Sequence, residues 1–348
     1  MTETLLPSYP EPPPMLTRAW YIAAESRELK WRPLARTVAG VPLVLFRDDQ
    51  GRAAALFDRC PHRNVQLSRG KVRQGQLQCP YHGWQFNGQG QCVHIPALPP
   101  GQKPPAGACV QTLPLKEQQG YLWVWPDAAP PPPDIQPFYL PYFEARGWHW
   151  DRLQSRIGNA VSNVVENFID NPHTGYVHGG LFRTPASHWV DNILETTADG
   201  VRIDIREESQ AESLLARLLV RGEVSHQDRF IYPATVEVRY AFGPGREIIG
   251  YQLCTPVSAY ETRIFVHVLW QMGWLSPLVR AGFPFVGRLI LQQDVGILES
   301  QGQVLQRYGE HFHSIEADSA NLWIQAARQR LQRGAQLKSR RRQVRFRI

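Results

Sequence analysis

Short apolar runs broken by turn signals fill the first third of the chain. Val38–Phe46 and Ala53–Phe57 are separated by Asp48-Asp49-Gln50-Gly51, Asn87-Gly88-Gln89-Gly90 marks a second tight turn, and Gly120–Trp125 reads as a closing strand. Together they predict a β domain from about Trp20 to Trp125. Pro126–Asp134 follows with four consecutive prolines, which cannot sit in a central strand and favour a stiff, extended connector. The boundaries drawn from this pattern are a Pro-rich segment over residues 1–16, a β domain over 17–126, a linker over 127–140 and a second domain over 141–348.

Beyond the linker the period changes. Asn159–Asp170 has helical spacing, with Val161, Val164, Val165, Phe168 and Ile169 to one side. Val201–Glu207, Arg229–Ala241, Glu247–Cys254 and Tyr260–Trp270 alternate like strands of an antiparallel sheet, and Phe285–Tyr308 and Ala317–Arg333 return to helical spacing. Gly273–Leu291 is apolar but interrupted by Pro277, Arg280, Pro284 and Arg288, which predicts a buried helical hairpin and not a membrane span. The class is α+β.

Composition sharpens this picture at three points. A chain of 348 residues exceeds what one core usually fills, so two domains are expected. Five cysteines do not make a disulfide framework, and the N-terminus shows neither a basic nor an apolar leader region; the expectation is a soluble, cytoplasmic protein. The net charge of +7 points first to nucleic acid. Nine Lys/Arg residues and no acid lie between Arg328 and Arg347, however, and without them 29 basic residues face 31 acidic ones. The excess is read as a solvated C-terminal tail, and no nucleic-acid-binding signature accompanies it.

Chemistry is concentrated in two places. Cys60-Pro61-His62 is followed, after 16 intervening residues, by Cys79-Pro80-Tyr81-His82-Gly83-Trp84. Zinc takes two Cys and two His, but its usual spacing pairs Cys with Cys and His with His. A Rieske [2Fe–2S] centre needs two thiolates on one iron and two imidazoles on the other, and mixed loops supply that when each gives one ligand to each iron. The second place is Glu166-Asn-Phe-Ile-Asp170-Asn-Pro-His173-Thr-Gly-Tyr-Val-His178. On a helix Glu166, Asp170 and His173 share one face, and His178 lies about 140° away unless Pro172 and Gly175 bend the chain. Two His and a carboxylate on one face are the ligands of non-haem Fe(II) oxygenases.

The two loops resemble the Rieske box of the ring-hydroxylating oxygenases, and Asp-x-x-His-x-x-x-x-His resembles their mononuclear-iron motif; the likeness runs over roughly residues 17–310. The two extra cysteines of quinol-oxidising Rieske proteins are missing from these loops. The compact branch, with dicamba and vanillate O-demethylases and the tetrapyrrole-oxidising plant enzymes, is the most similar. The resemblance implies an all-β Rieske domain and then an α+β catalytic domain with an antiparallel sheet and helices, in a helix-grip, START-like arrangement. It implies one Rieske cluster on Cys60, His62, Cys79 and His82, and one Fe(II) on His173, His178 and a carboxylate from a late helix. Asp294 is the choice for that carboxylate and Glu299 the alternative. Family members often carry Glu before this Asp, and Gln293 departs from that.

Asp170 is implied to bridge His173 to His82 of a neighbouring subunit in a homotrimer, with Glu166 and Asn167 as supporting residues. The activity implied is that of a terminal oxygenase using O₂ and electrons from a separate reductase, with or without a ferredoxin, so that NAD(P)H acts only indirectly. Hydroxylation or oxidative demethylation of a small, largely apolar molecule is favoured over cis-dihydroxylation; the rival reading is a non-catalytic Rieske electron carrier. Phe182, Trp189, Phe230, Tyr232, Tyr240, Tyr251 and Trp270 are aromatic candidates for the pocket.

Overall fold

The computed structural model describes residue 13 and residues 15–179, 189–207 and 224–347. The described residues divide into two compact units: one holds residues 15–140 with 255–258, the other those within 141–254 and 259–347.

The first unit is built from three small antiparallel sheets. Strands β1 (Tyr21–Glu25), β10 (Tyr121–Val124) and β9 (Leu115–Gln118) form one, and β2 (Leu34–Val38), β3 (Val41–Arg47) and β4 (Ala53–Phe57) the next. The third runs β5 (Lys71–Arg73), β6 (Gln76–Gln78), β7 (Gln85–Phe86) and β8 (Cys92–His94). Its core brings Val44, Phe46, Leu56, Leu67, Leu77, Phe86 and Val110 around the buried Cys60 and Cys79, so the two thiols are held by apolar packing. The turn at Asn87–Gly90 depends on its glycine. Gly90 has φ +73°, and a Cβ there would stand 2.0 Å from the Val110 carbonyl oxygen.

The second unit carries an eight-stranded sheet. Its order is β11 (His149–Ile157), β17 (Glu261–Gln271), β16 (Glu247–Ser258), β15 (Thr235–Ala241), β14 (Ser225–Ile231), β13 (Gly200–Glu207), β12 (Trp189–Thr196) and β18 (Arg341–Arg347). The run expected as one strand over Arg229–Ala241 is two, because Pro233 has no N–H to continue the ladder and a turn forms there. The α-helices among the described residues are α1 (Val161–Asn167), α2 (His173–Val177), α3 (Ser276–Tyr308) and α4 (Ser319–Gln332). Ile248 and Val266 of the sheet pack with Val279 and Phe283 of α3, which therefore covers one sheet face.

Two expectations are corrected. Gly273–Leu291 is not a buried hairpin: from Ser276 it is the first half of one 33-residue helix, with Leu278 65% and Phe285 76% exposed. Pro277 sits in the first turn, where its missing N–H costs nothing, and so does not break the helix. The basic C-terminus is not a free tail. Arg341–Arg347 pairs with Trp189–Glu195 as the edge strand, burying Val344 and Phe346 while its arginines stay exposed. Alternation with arginine hides a strand from a reading based on apolar runs. Among the described residues no helix is long and apolar enough to cross a membrane.

Candidate metal sites

The two loops of the first unit repeat one geometry. In each, the cysteine N–H donates to the carbonyl five residues on (Cys60 to Val65, 2.9 Å; Cys79 to Trp84, 2.8 Å). In each, the residue four positions on donates back to the cysteine carbonyl and takes a left-handed conformation: Asn64 at φ +60°, Gly83 at φ +72°. The loops bring His62 and His82 edge to face, with ring centroids 4.6 Å apart, and Trp84 stacks on His62 at 4.7 Å. Burial pushes the Cys60 thiol up to about 11, and the neighbouring Cys79 adds to this. Burial, His82 and Arg63 hold His62 below the ordinary histidine value. His62 Nδ1 is buried with no hydrogen-bond partner among the described residues. Two adjacent buried thiols and an imidazole nitrogen with an unused lone pair suit a metal cluster that takes the protons' place.

In the second unit His173, His178 and Asp294 offer one ligand atom each, all within 4.8 Å of one another. The chain reaches this point through a break. Helix α1 stops at Asn167, and Pro172, which has no N–H, prevents the helix from running through to His173. The expected single helical face is therefore two short helices, and the Asp170 carboxylate accepts the backbone N–H of His173 at 2.9 Å. Asp294 comes from α3, whose buried residues Leu291, Asp294, Leu298, Gly302 and Leu305 form one stripe. Glu299 lies off that stripe and is exposed.

Hydrogen bonds orient all three groups. His173 Nδ1 lies 2.6 Å from the Asp170 carbonyl oxygen and 3.2 Å from its Oδ2. His178 Nδ1 lies 2.9 Å from Gln293 Oε1. With each Nδ1 turned to these oxygen acceptors, Nε2 is the ring nitrogen left to face the triad, and the two Nε2 atoms stand 3.6 and 3.1 Å from Asp294 Oδ1. Asn167 Nδ2 donates to that same Oδ1 at 3.0 Å. Burial disfavours the charged form of His178, yet Asp294 and Gln293 outweigh it and hold its pKa above the ordinary value. This donor set fits a divalent metal with open positions. Gln293 was singled out in the sequence only as a departure, and its spacing gave no hint of a contact with His178.

Glu166 faces away from the metal-binding atoms. Asn321 Nδ2 donates to it at 3.0 Å, and burial, with Asp170, Asp318 and Glu310 nearby, pushes its carboxyl up to about 7. The aromatic candidates divide by sheet face. Tyr240 lies opposite Ile248 and so on the face covered by α3; Phe230 shares that face. Tyr251 lies opposite Glu237 on the other face, Trp270 belongs to the core, Tyr232 sits in the β14–β15 turn, and Trp189 begins β12, next to the edge strand, beneath Arg345. Phe182 lies outside the described residues.

Residues 19–114 match the model of the Rieske [2Fe-2S] domain, and residues 159–336 that of the vanillate O-demethylase oxygenase C-terminal domain. Protein TIC 55, chloroplastic, of Arabidopsis thaliana is 31% identical over 84% of this chain and 54% of that protein. The oxygenase component of dicamba O-demethylase from Stenotrophomonas maltophilia is 40% identical over 48% of this chain and 49% of its own length. The chain thus spans about half the length of the curated relatives it matches. A crystal structure of dicamba monooxygenase bound to dicamba superposes with a TM-score of 0.77 at 24% identity, covering 92% of this chain and 98% of that one, which establishes the shared fold.

Proposed function

The chain belongs to the Rieske oxygenases with a vanillate O-demethylase-type C-terminal domain, and from this we propose that it is the terminal oxygenase component of a multicomponent system. The reaction is hydroxylation or oxidative demethylation of a small, largely apolar organic molecule. The observation that carries this reading is the convergence of His173, His178 and Asp294 in a chain that also holds the paired Cys–His loops. When bound, a metal held by His173, His178 and Asp294 would supply O₂ activation, and a cluster held by Cys60, His62, Cys79 and His82 would supply single electrons.

The protein's own residues fix the conditions for that chemistry. Asp170 and Gln293 hold the imidazole tautomers, and Asn167 keeps one Asp294 oxygen turned inward. Tyr240 and Phe230 on the face covered by α3 offer an aromatic wall for the substrate, beside the buried His226–Asp228 pair. The domain roles follow the boundaries set out from the sequence, with the cluster in residues 17–126 and the iron in 141–348. The protein works in the cytoplasm as a homotrimer, in which Asp170 links His173 to His82 of the next subunit, and takes electrons from a separate reductase.

Iron and acid-labile sulfide analysis with EPR tests this. The expected result is a Rieske signal on reduction together with an Fe(II)–nitrosyl signal, the latter lost in His173→Ala. A Rieske signal alone after iron reconstitution would favour the electron carrier, and zinc with neither signal would overturn both readings.

A further inference from the structure

One face of the large sheet carries polar side chains that the metal sites do not use. Directly opposed residues of neighbouring strands share a face, so His226 of β14 stands in one row with Asn192, Ile205, Tyr240 and Ile248. Asp228 stands in the next row with Val238 and Gly250. Ile248 packs with Val279 and Phe283 of α3, so this is the face covered by the helix that carries Asp294.

His226 and Asp228 are only 9% and 2% exposed, and His226 Nε2 lies 3.0 Å from Asp228 Oδ1. An ionised carboxylate can only accept, so Nε2 carries the proton and Nδ1 of the neutral ring keeps a lone pair. That Nδ1 is buried and has no hydrogen-bond partner among the described residues. Tyr240 stacks on the imidazole with ring centroids 4.1 Å apart, which fixes the plane of the ring. Buried polar atoms normally find partners, yet Asn192 Oδ1 and Gln252 Oε1 on the same face also lack one among the described residues. The Gln252 amide reaches back over the row of Asp228, since a Cβ on Gly250 would stand 3.1 Å from its Nε2.

Holding the strand does not account for the pair. β14 is hydrogen-bonded along both edges, to β13 and to β15, and a buried ion pair adds little over apolar side chains of similar volume. The unpaired atoms have one chemistry: all three are acceptors. No Lys or Arg lies on this face from β13 to β16, and Arg246, just before β16, is buried and already engaged. An anion placed here would meet the Asp228 carboxylate without a cation to offset it. A neutral donor would satisfy the lone pair of Nδ1.

We propose that His226 and Asp228, with Asn192 and Gln252 as further acceptors, recognise the polar group of the substrate, and that this group is a neutral hydroxyl or N–H on an aromatic molecule. Asp228 holds the ring and His226 Nδ1 accepts the hydrogen bond, while Tyr240 and Phe230 flank the aromatic part. The inference rests on the oxygenase reading and names the substrate class of that same site.

The test is calorimetric binding of three matched probes to the anaerobic holoenzyme: meta-methoxyphenol, meta-dimethoxybenzene and meta-methoxybenzoate. The comparison protein is His226→Phe/Asp228→Leu, which replaces both partners at similar volume and keeps an aromatic ring against Tyr240; melting and iron content are measured for both proteins. In the wild type the phenol should bind about tenfold more tightly than the diether, the worth of one good hydrogen bond, and the benzoate most weakly. In the variant the phenol should fall to the level of the diether, whose own affinity stays unchanged. Equal binding of phenol and diether by the wild type would overturn the inference, as would no phenol binding at millimolar concentration. Tightest binding of the benzoate would also overturn it, because the ring would then be a charged donor serving an anion. So would a phenol preference that survives in the variant, since the hydroxyl would then be read elsewhere. The wild-type comparison decides even if the variant does not fold. Absence of any Rieske signal would remove the oxygenase reading and leave the order of probe affinities to be read on its own.

Discussion

Gln293 accepts the Nδ1 proton of His178, and that single contact decides which ring nitrogen faces Asp294. Gln293→Ala should weaken Fe(II) or Co(II) binding at the triad about 10–100-fold, the usual cost of losing such a partner, without altering the Rieske spectrum; metal titration measures it. Glu166 gives a pH signature of definite sign. Its carboxyl is raised in the folded protein to about 7 from 4.5, so its contribution is full below pH 4.5 and is lost as pH rises toward 7. The loss is on the order of 3 kcal/mol. Denaturant melts at pH 5 and pH 8 should show this fall in the wild type, and Glu166→Gln should flatten it. The sequence announced Glu166 and Asn167 as neighbours of the site, but not their different tasks. Those depend on Asn321 and Asp294, more than a hundred residues away.

Helix α3 delivers Asp294 because its buried stripe runs through that residue and lets the helix come close to the start of α1. Gly302 makes the approach possible: a Cβ there would lie 1.9 Å from the Gly158 carbonyl oxygen. Asn159, the next residue, donates to the Leu298 carbonyl at 2.8 Å and closes the same contact. Gly302→Ala should therefore cost about 1–3 kcal/mol and lower iron occupancy at the triad, read by thermal denaturation and metal analysis. The edge strand β18 invites a second expectation. Removing residues 338–348 exposes the β12 edge and the apolar surface under Val344 and Phe346, so the shortened protein should melt lower and associate more readily. Sedimentation and a melting curve would show both. Neither feature could be read in advance, because a glycine within a helix and an arginine-rich alternation acquire meaning only from what lies against them.

Each unit has its own core, and the two metal sites are built on separate sets of contacts. Cys79→Ser should bleach the Rieske spectrum while the triad still takes one Co(II) per chain. A loss of both sites together would contradict this independence. The sequence by itself carried the two Cys–His loops, the His173/His178 pair and the change from β to mixed architecture, while Asp294 was implied only by the family resemblance. Those features rest on local spacing: ligands in short loops, apolar periodicity and prolines act within a few residues of one another. Only the tertiary structure decided that Glu299 faces away, that Gln293 fixes His178, that the basic C-terminus is a strand and that the apolar start of α3 is exposed. Each of these depends on which face of an element meets another. Pairing between distant segments sets that, and no short stretch of sequence contains it.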